Sequence, residues 1–229
     1  MAVVHRTTLS PTKLELLTSW LPQQPWYLGG AGGKPELDQA GGYRLDDPTG
    51  AVGIEFMLVT DVSGDKPVTY QMPCSYRGAP LEGAGDDALI ATPEHGVLGT
   101  RWVYDGAHDP VLVAQLVALM AGAAVPQEQS ISNTPDPTVE GHFTGREHPV
   151  ATGIAAVTSD TDGTDVRVRT ANTSGAGLTL HVNRVVRPGQ AASPGDLGHV
   201  TGNMLLPDGT KARTLFASVR ETGSGPTAG

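Results

Sequence analysis

The chain has 229 residues, 30 of them Gly and 18 Pro, with a net charge of -9. That length holds one large or two small domains with a real core, and the Gly and Pro content favours strands and turns over long helices. An acidic chain with no evident basic patch is a poor nucleic-acid binder. The single cysteine, Cys74, excludes an internal disulfide and a thiolate metal centre.

In chain order, Ser10 and Pro11 suit an N-cap and a first helical position. Leu14, Leu17 and Leu21 then form one apolar stripe with Trp20 beside it, and Pro22 stops the helix. Leu17 to Leu28 gathers Trp20, Trp26 and Tyr27 in a chain with few aromatics, which reads as core anchoring at a helix–sheet junction. Gly29 to Pro35 reads as a loop. Ile54–Val62 and Val68–Tyr76 flank a Ser-Gly-Asp-Lys-Pro turn and predict a hairpin, with Thr69 and Gln71 on a wet face and Pro73 marking an edge or bulge. Ala88–Thr92 suits a short strand. Asp109 and Pro110 open a second, apolar helix that Gly122 closes.

Val125–Thr138 is polar with three prolines and reads as a linker. Beyond it the pattern is all strand: Val139–Arg146, Gly153–Thr158, Val166–Thr170, Leu178–Val186, His199–Leu206 and Lys211–Val219, with hairpin tips at Asp162-Gly163 and Asp208-Gly209. The expected fold is therefore α+β. Residues 1–124 form an antiparallel sheet with two helices, 125–138 link, 139–221 form a second antiparallel β unit, and 222–229 are a disordered tail.

The first unit resembles the N-terminal cap of actinobacterial maltokinases, a branch of the aminoglycoside-phosphotransferase-like kinases. The resemblance rests on Trp20, Leu21, Gln24, Trp26 and Tyr27, on the hairpin ending in Tyr70 and Gln71, and on Leu98–Tyr104 followed by Asp105, Gly106 and the apolar helix. Pro25 stands where the family pattern has arginine. The second unit resembles a kinase small lobe. There the resemblance implies a nucleotide-binding turn at Asn172, Thr173 and Ser174, and a phosphate-gripping lysine at the place of His181. A neutral imidazole is a poor replacement for that fixed charge. Phosphoryl transfer also needs an orienting carboxylate and metal ligands, which these kinases draw from a helical lobe that this chain is not expected to encode. Asp196 and Asn203 only faintly match the catalytic-loop pattern, with Pro194 in the histidine position.

Other chemistry is sparse. Glu94-His95 and His108-Asp109 read as solvated loop residues, His142 and His148 bracket a turn at Gly145, and Ser75 and Ser130 lack the glycine-flanked setting of an esterase nucleophile. Asp46-Asp47 and Asp86-Asp87 read as solvated charge, and Cys74 as a buried, inert thiol. No catalytic residue, metal or cofactor is expected.

The resemblance implies a non-catalytic, maltokinase-cap-like accessory or regulatory module in α-glucan, trehalose and maltose metabolism. Its expected partner is a protein such as a kinase or a glucan-metabolising enzyme, and its candidate surfaces are the 29–35 loop and the wet face of the hairpin. The alternative is an ATP-dependent sugar kinase, or one part of a split kinase, that binds ATP and magnesium through Asn172, Thr173, Ser174 and His181. A sugar-binding second half is the weakest reading, since Phe143 and Phe216 are the only aromatics there. No apolar run suits a signal peptide or a membrane span, so the expected location is the cytoplasm, with neither membrane nor nucleic acid as a partner.

Overall fold

The computed structural model describes residues 9–29, 33–145, 148–171 and 177–223. The first half runs β1 (Leu9–Ser10), α1 (Lys13–Trp20), β2 (Leu37–Asp46), β3 (Gly53–Asp61), β4 (Val68–Arg77), β5 (Leu89–Ala91), β6 (Glu94–His95), β7 (Gly99–Thr100), β8 (Trp102–Asp105), α2 (Pro110–Met120) and β9 (Gln127–Glu128). The second runs β10 (Glu140–Phe143), β11 (Ala151–Ser159), β12 (Thr164–Thr170), β13 (Leu178–Val182), β14 (Val185–Val186), β15 (Gly198–Leu205) and β16 (Lys211–Glu221). All the pairings are antiparallel. One sheet has the order β5-β8-β4-β3-β2-β9 with β14 added beside β4, a second has the order β10-β15-β16-β13-β12-β11, and β1-β6-β7 form a small third. The fold is α+β.

Helix α1 begins two residues later than the Ser10–Pro11 signal predicts. Ser10 pairs with Glu94 between β1 and β6, so it is extended. Thr12 caps instead. Its hydroxyl accepts from the Glu15 N–H, and the Glu15 carboxylate accepts from the Thr12 N–H at 2.8 Å. This reciprocal capping box satisfies two otherwise unpaired backbone donors. Helix α2 starts as predicted, with the Asp109 side chain accepting from Val111 N–H at 2.9 Å and Pro110 in the first turn. Gly122, at φ +73°, follows its end.

The first sheet is the middle layer. Trp20, Leu21, Trp26, Met57, Val59, Tyr70, Met72 and Cys74 pack on the side that α1 covers. Tyr43, Leu45, Ile54, Phe56 and Leu58 pack on the other side, against α2 and the inner face of the second sheet, in one cluster with Leu180, Val200, Phe216 and Val219. Both faces of β3 and β4 are therefore buried. The wet hairpin face expected from the alternation does not exist: Thr69, Gln71 and Ser75 are all buried, and the Gln71 amide donates to the carbonyls of Asn183 and Phe216. Pro73 sits in a strand with neighbours on both sides. The N–H of Gln71 points to Arg184 O, so position 73 faces the same edge. There it falls between the short pairings with β14 at residues 69–70 and with β8 at residues 74–77, where no ladder donor is needed.

Three further differences separate the expected elements from the observed ones. Strand β2 has no counterpart in the sequence reading. Its Gly41 and Gly42 take φ +115° and +142° beside a bulge, and a Cβ on Gly42 would stand 2.3 Å from Phe56 O. The expected strand 178–186 breaks after Val182, because Asn183 and Arg184 carry the chain across to the first sheet, where Val185 and Val186 pair with Tyr70 and Thr69. The expected linker is docked: Gln127 and Glu128 pair with β2, and the Arg44 guanidinium donates to the carbonyls of Glu128 and Ile131. In the expected tail, the Thr222 N–H donates to Gly177 O, and residues 224–229 lie outside the described residues.

Candidate functional site

A cavity of about 390 Å³ opens on the seam between the halves. After α1 ends, a 3-10 turn at Leu21–Gln23 swings Gln23, Gln24 and Pro25 to its rim beside Trp20. A second 3-10 turn, Asp86–Ala88, supplies two exposed carboxylates. The end of β8 and the turn after it bring Asp105 and His108, and β11 of the second half brings Val157 and Ser159. Trp20, Gln23, Gln24, Pro25 and Asp105 all come from the stretches that carry the family resemblance.

Arg184 forms the buried pin under this seam. Its side chain is fully buried, and its Nη2 donates to both Asp105 carboxylate oxygens at 2.7 and 2.6 Å. Its Nε donates to Thr164 Oγ1 at 2.8 Å, and the guanidinium lies 5.0 Å from the Trp26 ring centre. One side chain of the second half thus meets a carboxylate and an aromatic face of the first. Around it the aromatics form a chain: Trp20–Trp26 and Trp26–Tyr70 at 5.9 Å, and Tyr27–Tyr70 at 5.7 Å. Tyr27 OH donates to Asp61 at 2.9 Å, and burial together with that carboxylate pushes its pKa up to about 12. Trp20 and Trp26 are core anchors, as expected. Nothing in the sequence reading singled out Arg184. The available signal was a charged residue inside the apolar run Leu178–Val186.

The rim carries carboxylates, amides and a hydroxyl. Such groups suit recognition of hydroxyl or amine donors. Asp105 is already neutralised by Arg184, which leaves Asp86 and Asp87 as the free acidic groups of the rim.

The expected nucleotide residues do not assemble here. Asn172, Thr173 and Ser174 lie outside the described residues. His181 lies on the outer face of the second sheet, where its Nδ1 meets Asp165 Oδ1 at 2.7 Å and the other Asp165 oxygen accepts from Arg220 at 2.7 Å. Asp196 accepts from Ser193 N–H at 2.8 Å and closes its own turn. Asn203 sits on β15, and β16 runs between that strand and the β13 strand of His181. These three side chains form no common cleft.

The other candidates also disperse. Glu94 accepts from Thr100, and His95 Nδ1 accepts from Val97 and Leu98 N–H groups. Asp109 is not a solvated loop residue: it is buried and receives a bidentate Arg77 at 2.6 and 2.7 Å. Asp47 is likewise buried, accepting from Thr49, Ala51 and Val52. Burial raises its pKa, but those hydrogen bonds outweigh burial and hold the carboxyl below its ordinary value. Cys74 is buried, and burial pushes its thiol far up, which makes it inert. Ser75 is buried, and Phe216 is in the core, so it offers no sugar platform. His142 pairs across strands with His199, and residues 146–147 of the expected turn before His148 lie outside the described residues. Among the described residues, no three His, Cys, Asp or Glu side chains converge as a metal set.

Arg167, Arg169, Arg213 and Arg220 are exposed on the outer face of the second sheet, and Glu140 and Asp165 pair with only two of them. No helix among the described residues is long and apolar enough to cross a membrane.

Residues 20–109 match the family model of the maltokinase N-terminal cap domain. No curated protein matches the chain. The matched stretch starts at Trp20, on the cavity rim, and ends at Asp109, the cap of α2. The first half of the chain is therefore similar, over residues 20–109, to the maltokinase N-terminal cap domain.

Proposed function

We propose that the chain is an accessory module of maltose, trehalose and α-glucan metabolism that binds a protein partner and does not itself transfer phosphate. The observation that carries this reading is the engagement of His181. In the related kinases that place holds a lysine, a fixed charge for phosphates. Here the imidazole donor is directed into Asp165, whose second oxygen holds Arg220. Asp196 is likewise used within its own turn. The partner is a kinase or glucan-metabolising enzyme, and the seam cavity, with its Asp86 and Asp87 rim, is the recognition surface.

Thermal unfolding with and without ATP–magnesium tests the non-catalytic half of the reading. No shift is expected. Binding with a Kd a hundredfold below the nucleotide concentration would add about 2.7 kcal/mol, and such a shift would restore the kinase alternative. Affinity capture with the unmodified chain and with an Asp86→Asn, Asp87→Asn double variant tests the other half. Recovery of a glucan or maltose enzyme by the first and not the second supports it, whereas recovery of chaperones alone overturns it.

A further inference from the structure

His142 and His199 stand directly opposite each other on β10 and β15, on the outer face of the second sheet. Directly opposed residues place their Cβ atoms about 4.5–5.5 Å apart on one face, so both imidazoles reach the same volume. Their ring centres are 5.2 Å apart and tilted by 46°. Two imidazoles on one tetrahedral zinc, with Zn–N bonds of about 2.0–2.1 Å, put their ring centres about 5 Å apart. A square-planar pair at a right angle would bring them closer, to about 4.5 Å. His142 is exposed and β10 is an edge strand, so an ion reaches the pair from solvent.

The surrounding charges permit a cation. Arg213, on β16, is bound to Glu140 and Thr201 on the two histidine strands, so Glu140 offsets part of its charge, and the remainder acts on His199 against the pull of Asp196. The Asp196 carboxylate acts on His199 from the preceding turn. Ser218 is the next residue in the same row across the sheet. His148 is engaged elsewhere, its ring 6.4 Å from that of Phe143.

We propose that His142 and His199 together bind one tetrahedral divalent metal ion of the zinc class, with water in the remaining positions. The site pins the edge strand β10 to β15, and its open positions leave room for an anion or a side chain from another molecule.

The test is calorimetric titration of the untagged full chain with zinc sulfate at neutral pH. One equivalent should bind. Either His142→Ala or His199→Ala should weaken the affinity at least tenfold, and His148→Ala should leave it unchanged. In the unmodified protein, one equivalent of a closed-shell zinc ion should shift the imidazole NMR signals of His142 and His199 together and slow amide exchange in residues 140–143, a readout that needs no variant. Absence of binding, binding that survives removal of both histidines, or shifts confined to other histidines would overturn the proposal.

Discussion

In β4 the polar side chains Thr69, Gln71 and Ser75 are all buried, whereas in β12 Arg167 and Arg169 stand in water. Both strands alternate polar and apolar residues. The difference lies in what covers the second face. The first sheet has α1 and its aromatics on one side and the second sheet on the other, so its polar row must find partners, as Gln71 does with Asn183 and Phe216. Among the described residues the second sheet is packed on its inner side, and on its outer face Arg167, Arg169 and Arg220 are exposed while the small Thr179 and Ser218 between them are buried. Period-two alternation therefore tells which residues share a face, but not whether that face meets water.

The largest break in this arrangement is expected at the point where the sheets are pinned. Arg184→Ala leaves Asp105 buried without its counter-charge and removes the cation from the Trp26 face. Losing one partner of a buried ion pair costs about 3–5 kcal/mol. Denaturant melts followed by tryptophan fluorescence, which reports the first half, and by far-ultraviolet circular dichroism, which reports both, should shift together by that amount. A shift below about 1 kcal/mol would mean that the pair is not a pin. Gln71→Ala comes next. It strips the Asn183 carbonyl of its side-chain donor and the Phe216 carbonyl of one of two donors, the Asn183 N–H remaining, at about 1–3 kcal/mol, and a neutral result would argue that water replaces the amide.

Much of the second sheet was legible because its strands alternate between DG-type turns, and five of its six members were found within a few residues of their ends. The helix α2 was legible from Asp109-Pro110 and its apolar run. The elements that escaped share a cause: each is decided by contacts far away in sequence. Strand β2 looks like a loop because Gly41 and Gly42 serve its bulge, and only pairing with β3 makes it a strand. The jump at Asn183–Arg184 depends on Asp105, 79 residues away. The family motif around Trp20 and Trp26 could be read, but not the cavity, because β11 supplies its far wall. The start of α1 is the exception. The T-x-x-E capping box at Thr12 and Glu15 is a local signal that the Ser10-Pro11 reading leaves unused. Thr12→Ala should accordingly cost about 1 kcal/mol, whereas Ser10→Ala should cost little.

Two smaller effects sharpen the contrast between covered and open faces. Asp47 is buried at the β2–β3 turn with its carboxyl held below the ordinary value of 3.8. A depressed folded-state pKa contributes stability that is present above the unfolded value and is lost as pH falls through the folded one. Below pH 3.8 the melting temperature should therefore fall, and Asp47→Asn should flatten that acid limb while lowering stability at neutral pH, where the carboxylate's hydrogen bonds are complete. On the open face, Arg167→Ala should change stability by no more than about 0.5 kcal/mol, because the side chain is exposed and has no ion-pair partner among the described residues. Together with Gln71→Ala, this variant isolates the variable at issue, since both truncate a long polar side chain on an alternating strand. If the arginine proved as costly as the glutamine, the outer face of the second sheet would have to be covered in solution, and self-association measured by sedimentation would be the place to look.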